Sequence, residues 1–212
     1  MSKAKELQQL LKDHNLYDGS IDGIIGDKTL NAVASLLPKR HTVSVVQANK
    51  VTDEDQITAN FHMSELIHSN TAVNRGIKNT PSILHKKNLI EATKNLFQPT
   101  RDLLGAAMLI SSGYRSPALN RAVGGSSSSA HSHGLAIDFI CPNFGNTRKI
   151  ASFLVSEFKK RGIKFDQLIL EFPDSGSSWI HLGYKSPSGS QRNQVLTAVK
   201  KGGKTTYLSG LH

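Results

Sequence analysis

Apolar residues recur along this chain with two periods, helical in the first half and strand-like in the second. Within residues 6–38, Leu7, Leu10 and Leu11 line one face of a first helix, and Leu30, Val33, Ala34 and Leu37 line one face of a second. Between them LYDGSIDGIIGDKT carries three glycines, and Asp27 is placed to cap the second helix. Pro38-Lys39-Arg40 closes this unit. The period fades over residues 41–60, a polar stretch expected to be a linker and domain entry. Ser64 is expected to cap a short helix over residues 65–69. Pro81 opens a long amphipathic stretch, residues 82–104, with Leu89, Leu96, Phe97 and Leu104 inward, Pro99 kinking or dividing it and Gly105 stopping it.

Strand-like runs follow at residues 108–114, 136–141, 167–172 and 179–184. A helix over residues 147–161 separates the second and third, with Ile150, Phe153, Leu154 and Phe158 on one face and Gly162 after it. The tail QVLTAVKKGGKTTYLS predicts a closing hairpin turned at Gly202-Gly203. Helices early and strands late, with hairpin-like connections, predict an α+β fold built on an antiparallel sheet, preceded by a small all-α module.

Charge changes this picture more than overall composition does. The 212 residues include 26 Lys and Arg against 16 Asp and Glu, a formal net charge of +10. Such a surplus favours polyanionic partners: nucleic acid, acidic membranes or bacterial wall polymers. The basic residues are spread out, and no Arg-rich recognition helix supports nucleic-acid binding. A single cysteine, Cys141, excludes an intramolecular disulfide, and its apolar neighbours make it a small buried hydrophobe. Residues 1–11 are polar and no run has the length of a membrane span, so the expectation is synthesis in a cytoplasm without a signal peptide or membrane insertion.

The densest chemistry lies in SGYRSPALNRAVGGSSSSAHSHGLAIDF. His131 and Asp138 stand seven residues apart across a loop-to-strand passage that can bring both onto one metal. A catalytic zinc site needs three protein ligands and one open position. The third, His181, comes from Trp179-Ile180-His181 in a late strand. Glu171, at the end of the strand expected to pair with that one, is the candidate general base; Asp174, in the following loop, is the alternative. His133 is offset from the motif and is not expected to be a ligand.

Together Ser129, His131, Gly134, Ala136 and Asp138, followed by the Trp-x-His strand, resemble the D-Ala-D-Ala carboxypeptidase family of zinc peptidases, including L-Ala-D-Glu endopeptidases. The likeness extends through FHMSELIHS, GIKNTP and FDQLILE, about residues 60–207. It implies the hedgehog-type fold, zinc on His131, Asp138 and His181, and Arg115 as the family's arginine, binding a substrate carboxylate or an oxyanion. Ser129 would add a substrate hydrogen bond. Many members carry an acid at the position that is Ser178 here. The N-terminal unit resembles the small peptidoglycan-binding module in Leu7-Gln8, Tyr17, Asp22, Gly23, Gly26, Thr29 and Ala32-Val33, with Asp22 and Thr29 fixing its loop. These resemblances imply a module at 1–40, a linker at 41–60 and a zinc peptidase at 61–212.

The function expected is hydrolysis of amide bonds in peptidoglycan stems or cross-links by a monomeric, phage-type endolysin, released from the host cytoplasm through a holin. A D-alanyl-D-alanine dipeptidase or carboxypeptidase of wall metabolism is the enzymatic alternative. A non-catalytic wall-binding structural protein is the alternative from another class.

Overall fold

The structure, a computed structural model, describes residues 2–25, 28–29, 32–33 and 55–212. The expected roles of Gly26, Asp27, Leu30, Ala34, Leu37, Pro38 and residues 41–54 lie outside the described residues. The chain divides into two compact units, Met1–Lys50 and Val51–His212.

In the first unit α1 (Lys3–Asp13) is capped by the Ser2 hydroxyl, which accepts from the Lys5 N–H. Leu11, Tyr17 and Ala32 form its small core, with Leu7, Leu16 and Val33 against them. Leu10 does not join that face; it is exposed. The loop is organised around a buried Gln8. Its amide donates to Asp22 Oδ1 at 2.8 Å and to the Ile24 carbonyl at 3.0 Å, and its carbonyl accepts from the Gly23 N–H at 2.7 Å. Gly23 adopts φ +84°, which a side chain would strain. Buried Thr29 lies 3.4 Å from the Gln8 amide, so Asp22 and Thr29 both hold the loop through one glutamine.

The second unit opens with β1 (Gln56–Thr58), within the stretch expected to be linker, paired to β2 (Phe61–His62). The helix that follows, α2 (Met63–Ile67), is capped by His62 and not by Ser64. Glu65 accepts from the His62 N–H at 2.9 Å, while the Ser64 hydroxyl is drawn back to Asp55 at 2.7 Å. Ser69 caps α3 (Asn70–Asn74). The long amphipathic stretch runs as α4 (Ile83–Ala92), one π turn (Thr93–Phe97) and α5 (Gln98–Leu104), closed by left-handed Gly105. The stretch is divided at Pro99, as expected: the proline stands in the first turn of α5, directly after the π turn. The wider π turn ahead of Pro99 shifts the carbonyls that its ring would otherwise strike.

Next come β3 (Leu109–Ser112), α6 (Pro117–Ala122), a 3₁₀ turn (Ala130–His133), β4 (Ala136–Ile140), α7 (Thr147–Arg161), β5 (Gln167–Glu171), β6 (Trp179–Gly183), β7 (Gln194–Lys201) and β8 (Lys204–Ser209). The last six strands form one sheet in the order β3-β4-β6-β5-β7-β8. It is antiparallel except between β5 and β7, which run parallel. The fold is therefore α+β with a largely antiparallel sheet, and the exception has a simple cause. β6 ends beside the start of β5, so a short loop from there delivers β7 to the start of β5 as well.

Alternation assigns the two faces of this sheet. Ile137, Phe139, Leu168, Leu170, Ile180 and Leu182 are buried in one core with Leu89, Leu96, Phe97, Leu154 and Phe158 from the helices. Each such side chain contributes about 1.5–3 kcal/mol by leaving water. Cys141 lies in this core as a free, fully buried thiol, its pKa raised by burial. The other face carries Asp138, His181, Ile169 and Glu171.

Candidate metal centre

Register builds the site. Asp138 on β4 lies directly opposite His181 on β6, which lies opposite Ile169 on β5; Glu171 is two residues further along β5, opposite Trp179. His131 enters from the 3₁₀ turn before β4. That turn is closed by Gly134 in the left-handed region, φ +69°, where a Cβ would stand 2.6 Å from the His85 carbonyl oxygen. The sequence signal at Gly134 thus marks a tight approach to α4.

Three ligand atoms converge. His131 Nε2 lies 3.1 Å from Asp138 Oδ1 and 3.1 Å from His181 Nδ1, and Asp138 Oδ1 lies 2.9 Å from His181 Nδ1. Tetrahedral zinc with bonds of about 2.0–2.1 Å spaces its ligands by about 3.3 Å, so this triangle is close to what the ion needs. Among the described residues, these three form a group able to hold a metal. His131 and Asp138 are buried, while the His181 side chain keeps 12% of its exposure.

The surroundings fix the ligands. His131 Nδ1 donates to the Gly113 carbonyl at 2.7 Å, which leaves Nε2 as a lone-pair donor toward the triangle. Gly113 is itself pressed against Leu66, where a Cβ would meet the carbonyl oxygen at 2.1 Å. Burial lowers the His131 pKa, which favours the neutral imidazole that a metal requires. Burial alone would raise Asp138, but its contacts with His131 and His181 outweigh that and hold it well below the usual carboxylate range.

Arg115 stands beside the ligand group, against Asp138. Its guanidinium donates to Asp138 Oδ2, and its Nε donates to Ser112 Oγ at 2.8 Å. With one oxygen gripped by arginine, Asp138 presents the other to the two histidines. Ser129 begins the 3₁₀ turn, its carbonyl accepting from the Ser132 N–H at 3.1 Å, and its hydroxyl makes no cap bond. His133 does not join the triangle; its ring packs edge-on to His85 at 5.8 Å.

Glu171 is 8% exposed, and burial pushes its carboxyl up to about 7, with nearby Asp138 adding to the effect and His181 opposing it. A carboxyl poised there can take a proton near neutral pH. Immediately after it Phe172 adopts φ +48°, an outlier for a bulky residue, and its N–H donates to the Ala198 carbonyl at 2.9 Å. Asp174, the alternative base, is turned away: its carboxylate pairs with Arg148 at 2.6 Å and is 82% exposed. Ser178 is structural, donating to the Glu171 carbonyl at 2.8 Å and lying 2.6 Å from Thr147 Oγ1.

Tyr207 was not anticipated. It shares the site face from β8, and its phenol pKa is raised by burial and then by the Glu171 and Asp138 carboxylates. No motif announced it, because its proximity to Glu171 depends on the parallel pairing of β7.

A family model described as Peptidase M15 matches residues 59–172, just over half of the chain. The matched segment includes Arg115, His131, Asp138 and Glu171; His181 and the closing hairpin lie beyond it. No curated protein matches the chain.

Proposed function

The chain belongs to the Peptidase M15 family, zinc-dependent metallopeptidases, and from that premise we propose that it hydrolyses amide bonds in peptidoglycan stem peptides or cross-links as a phage-type endolysin. The observation that carries this reading is the triangle of His131, Asp138 and His181 with the Glu171 carboxyl on the same sheet face. His131 Nε2, Asp138 Oδ1 and His181 Nδ1 would hold the zinc. When bound, zinc supplies Lewis-acid polarisation of the scissile carbonyl and acidifies a water.

The chain's own residues do the rest. Glu171 takes the proton of the attacking water on a carboxylate oxygen and returns it to the leaving amine. Arg115 fixes Asp138 through Oδ2 and so orients the ligand set. Gly113 holds His131 in one tautomer through its carbonyl. Ser129 stands on the turn beside the site as a substrate contact.

The net charge of +10 suits an anionic wall. The N-terminal unit, with its Gln8-centred loop carrying Tyr17, Asp22, Gly23 and Thr29, is read as the peptidoglycan-binding module of a monomeric enzyme. In this reading the protein accumulates in the host cytoplasm and reaches the wall after holin-dependent release.

The test is mass spectrometry of sacculi digested with the zinc-loaded protein. New amino and carboxyl termini within stem peptides support the reading and name the bond. Release of D-alanine alone would make it a carboxypeptidase, and intact sacculi with bound protein would make it a wall-binding structural protein.

A further inference from the structure

On the side of Glu171 away from His181 stands the closing hairpin, β7 and β8, outside the segment that the family match covers. Parallel register sets Glu171 beside Ala198, and antiparallel register sets Ala198 beside Tyr207. Trp179, Glu171, Ala198 and Tyr207 therefore form one row across the site face. Adjacent strands lie about 4.8 Å apart, so Tyr207 starts about 10 Å from Glu171, a gap that a tyrosine ring can largely span. Ala198 offers only a buried methyl in between. The register thus sets Tyr207 on the face that carries Glu171 and Asp138, and both carboxylates add to the burial that raises its phenol pKa. Among the described residues its hydroxyl has no hydrogen-bond partner, and the side chain is 53% exposed.

Two residues beyond Ala198 on the same face is Lys200. Its ammonium donates to Thr205 Oγ1 at 2.9 Å, stands 5.1 Å from the centre of the Phe172 ring and faces solvent. Its charge reaches Glu171. Between these side chains and the metal group lies a buried apolar cluster of Ile169, Leu196 and Ala198, with partly exposed Phe172 packed against it. A peptide lying over this cluster meets the Tyr207 hydroxyl and the Lys200 ammonium at the rim, the ammonium with N–H groups left beyond its bond to Thr205. Lys200 adds a cation at this rim, and a cation there favours a peptide that carries carboxylates.

We propose that the β7–β8 hairpin is the substrate-holding wall of this site, with the Tyr207 hydroxyl donating to a backbone carbonyl of the bound peptide and the Lys200 ammonium pairing with one of its carboxylates. This rests on the peptidase reading, and it specifies an acidic peptide as substrate.

The experiment uses full-length zinc-loaded protein and two forms of one stem pentapeptide, carboxyl groups free or amidated. Tyr207→Phe keeps the ring and lowers kcat/KM about tenfold or more on both forms, consistent with the loss of one donor. Lys200→Gln raises KM about tenfold on the free-carboxyl form and by clearly less on the amidated form. Zinc content and thermal unfolding stay at wild-type values in both variants. Wild-type kinetics in both variants would overturn the proposal. So would an equal loss on both peptides in Lys200→Gln, which would mean that the lysine acts only through Glu171. Calorimetric binding of the free-carboxyl peptide to the Glu171→Gln background, with and without each change, separates the two readings. Binding that depends on Tyr207 and Lys200 in a protein that cleaves nothing leaves the wall standing and removes the peptidase. A protein that neither cleaves nor binds the peptide removes both.

Discussion

Asp138 and His181, 43 residues apart in sequence, face each other across neighbouring strands with Oδ1 and Nδ1 at 2.9 Å. The contact is fixed by sheet register, so neither side chain can leave it cheaply. His131→Ala, Asp138→Ala and His181→Ala should each lose zinc and activity, whereas His133→Ala should bind about one zinc per chain, as a mononuclear site does. Metal analysis of the purified variants checks this.

Glu171→Gln keeps the shape of the site but cannot accept a proton. Turnover should fall about 10²–10⁴-fold with zinc retained, the usual contribution of general-base help. Asp174→Asn should stay near wild type, because that carboxylate is exposed and paired with Arg148. Muropeptide hydrolysis by the two variants, measured beside their zinc content, distinguishes them. A dead Asp174→Asn with an active Glu171→Gln would assign the base to the loop.

The raised pKa of Glu171 has two signs to check. As a base it must be ionised, so the acid limb of the pH–rate profile should lie at or below about 7, since a bound cation can only pull the carboxyl down. For stability the sign reverses. The neutral carboxyl suits its burial, so its contribution is fully present below the ordinary value of 4.5 and is lost as pH rises to about 7. Metal-free Glu171→Gln should therefore be more stable than the parent at pH 8, by up to about 3 kcal/mol, and closer to it at pH 4. Denaturant melts at the two pH values measure the difference.

Gly134 and Gly113 support the ligand triangle through their backbones, both by hydrogen bonds to His131. Gly134→Ala combines a left-handed backbone with a Cβ 2.6 Å from the His85 carbonyl, and should cost about 1–3 kcal/mol. Gly113→Ala would push on the Leu66 carbonyl and displace the acceptor of His131 Nδ1, so zinc affinity should fall about 10–100-fold. Thermal unfolding and competitive zinc titration report the two effects separately.

A chain starting at residue 51 retains the whole of the larger unit and its core. It should fold, load zinc and cut soluble muropeptides, yet sediment less with whole sacculi. Equal sedimentation of the two forms would remove the wall-binding role of the N-terminal unit.

Much of this protein was legible in its local pattern. Helix Thr147–Arg161, the left-handed stops at Gly105 and Gly162 and the hairpin at Gly202-Gly203 follow from periodicity and glycine conformation, which act over a few residues. Motif spacing pointed to His131 and Asp138, the Trp-x-His segment to His181, and the expected hairpin to Glu171, so all four could be named from the sequence. Local pattern fixes the face of a strand but not its neighbours. The Ser64 cap was missed because Asp55 draws that hydroxyl away. The division at Pro99 was legible, but not the π turn that makes it. Only the tertiary structure decided that Arg115 grips Asp138, that Asp174 turns out to Arg148, and that β7 runs parallel to β5, bringing Tyr207 toward Glu171. Those outcomes depend on strand order and on charges from distant segments competing for the same partners, information that no short window of the chain contains.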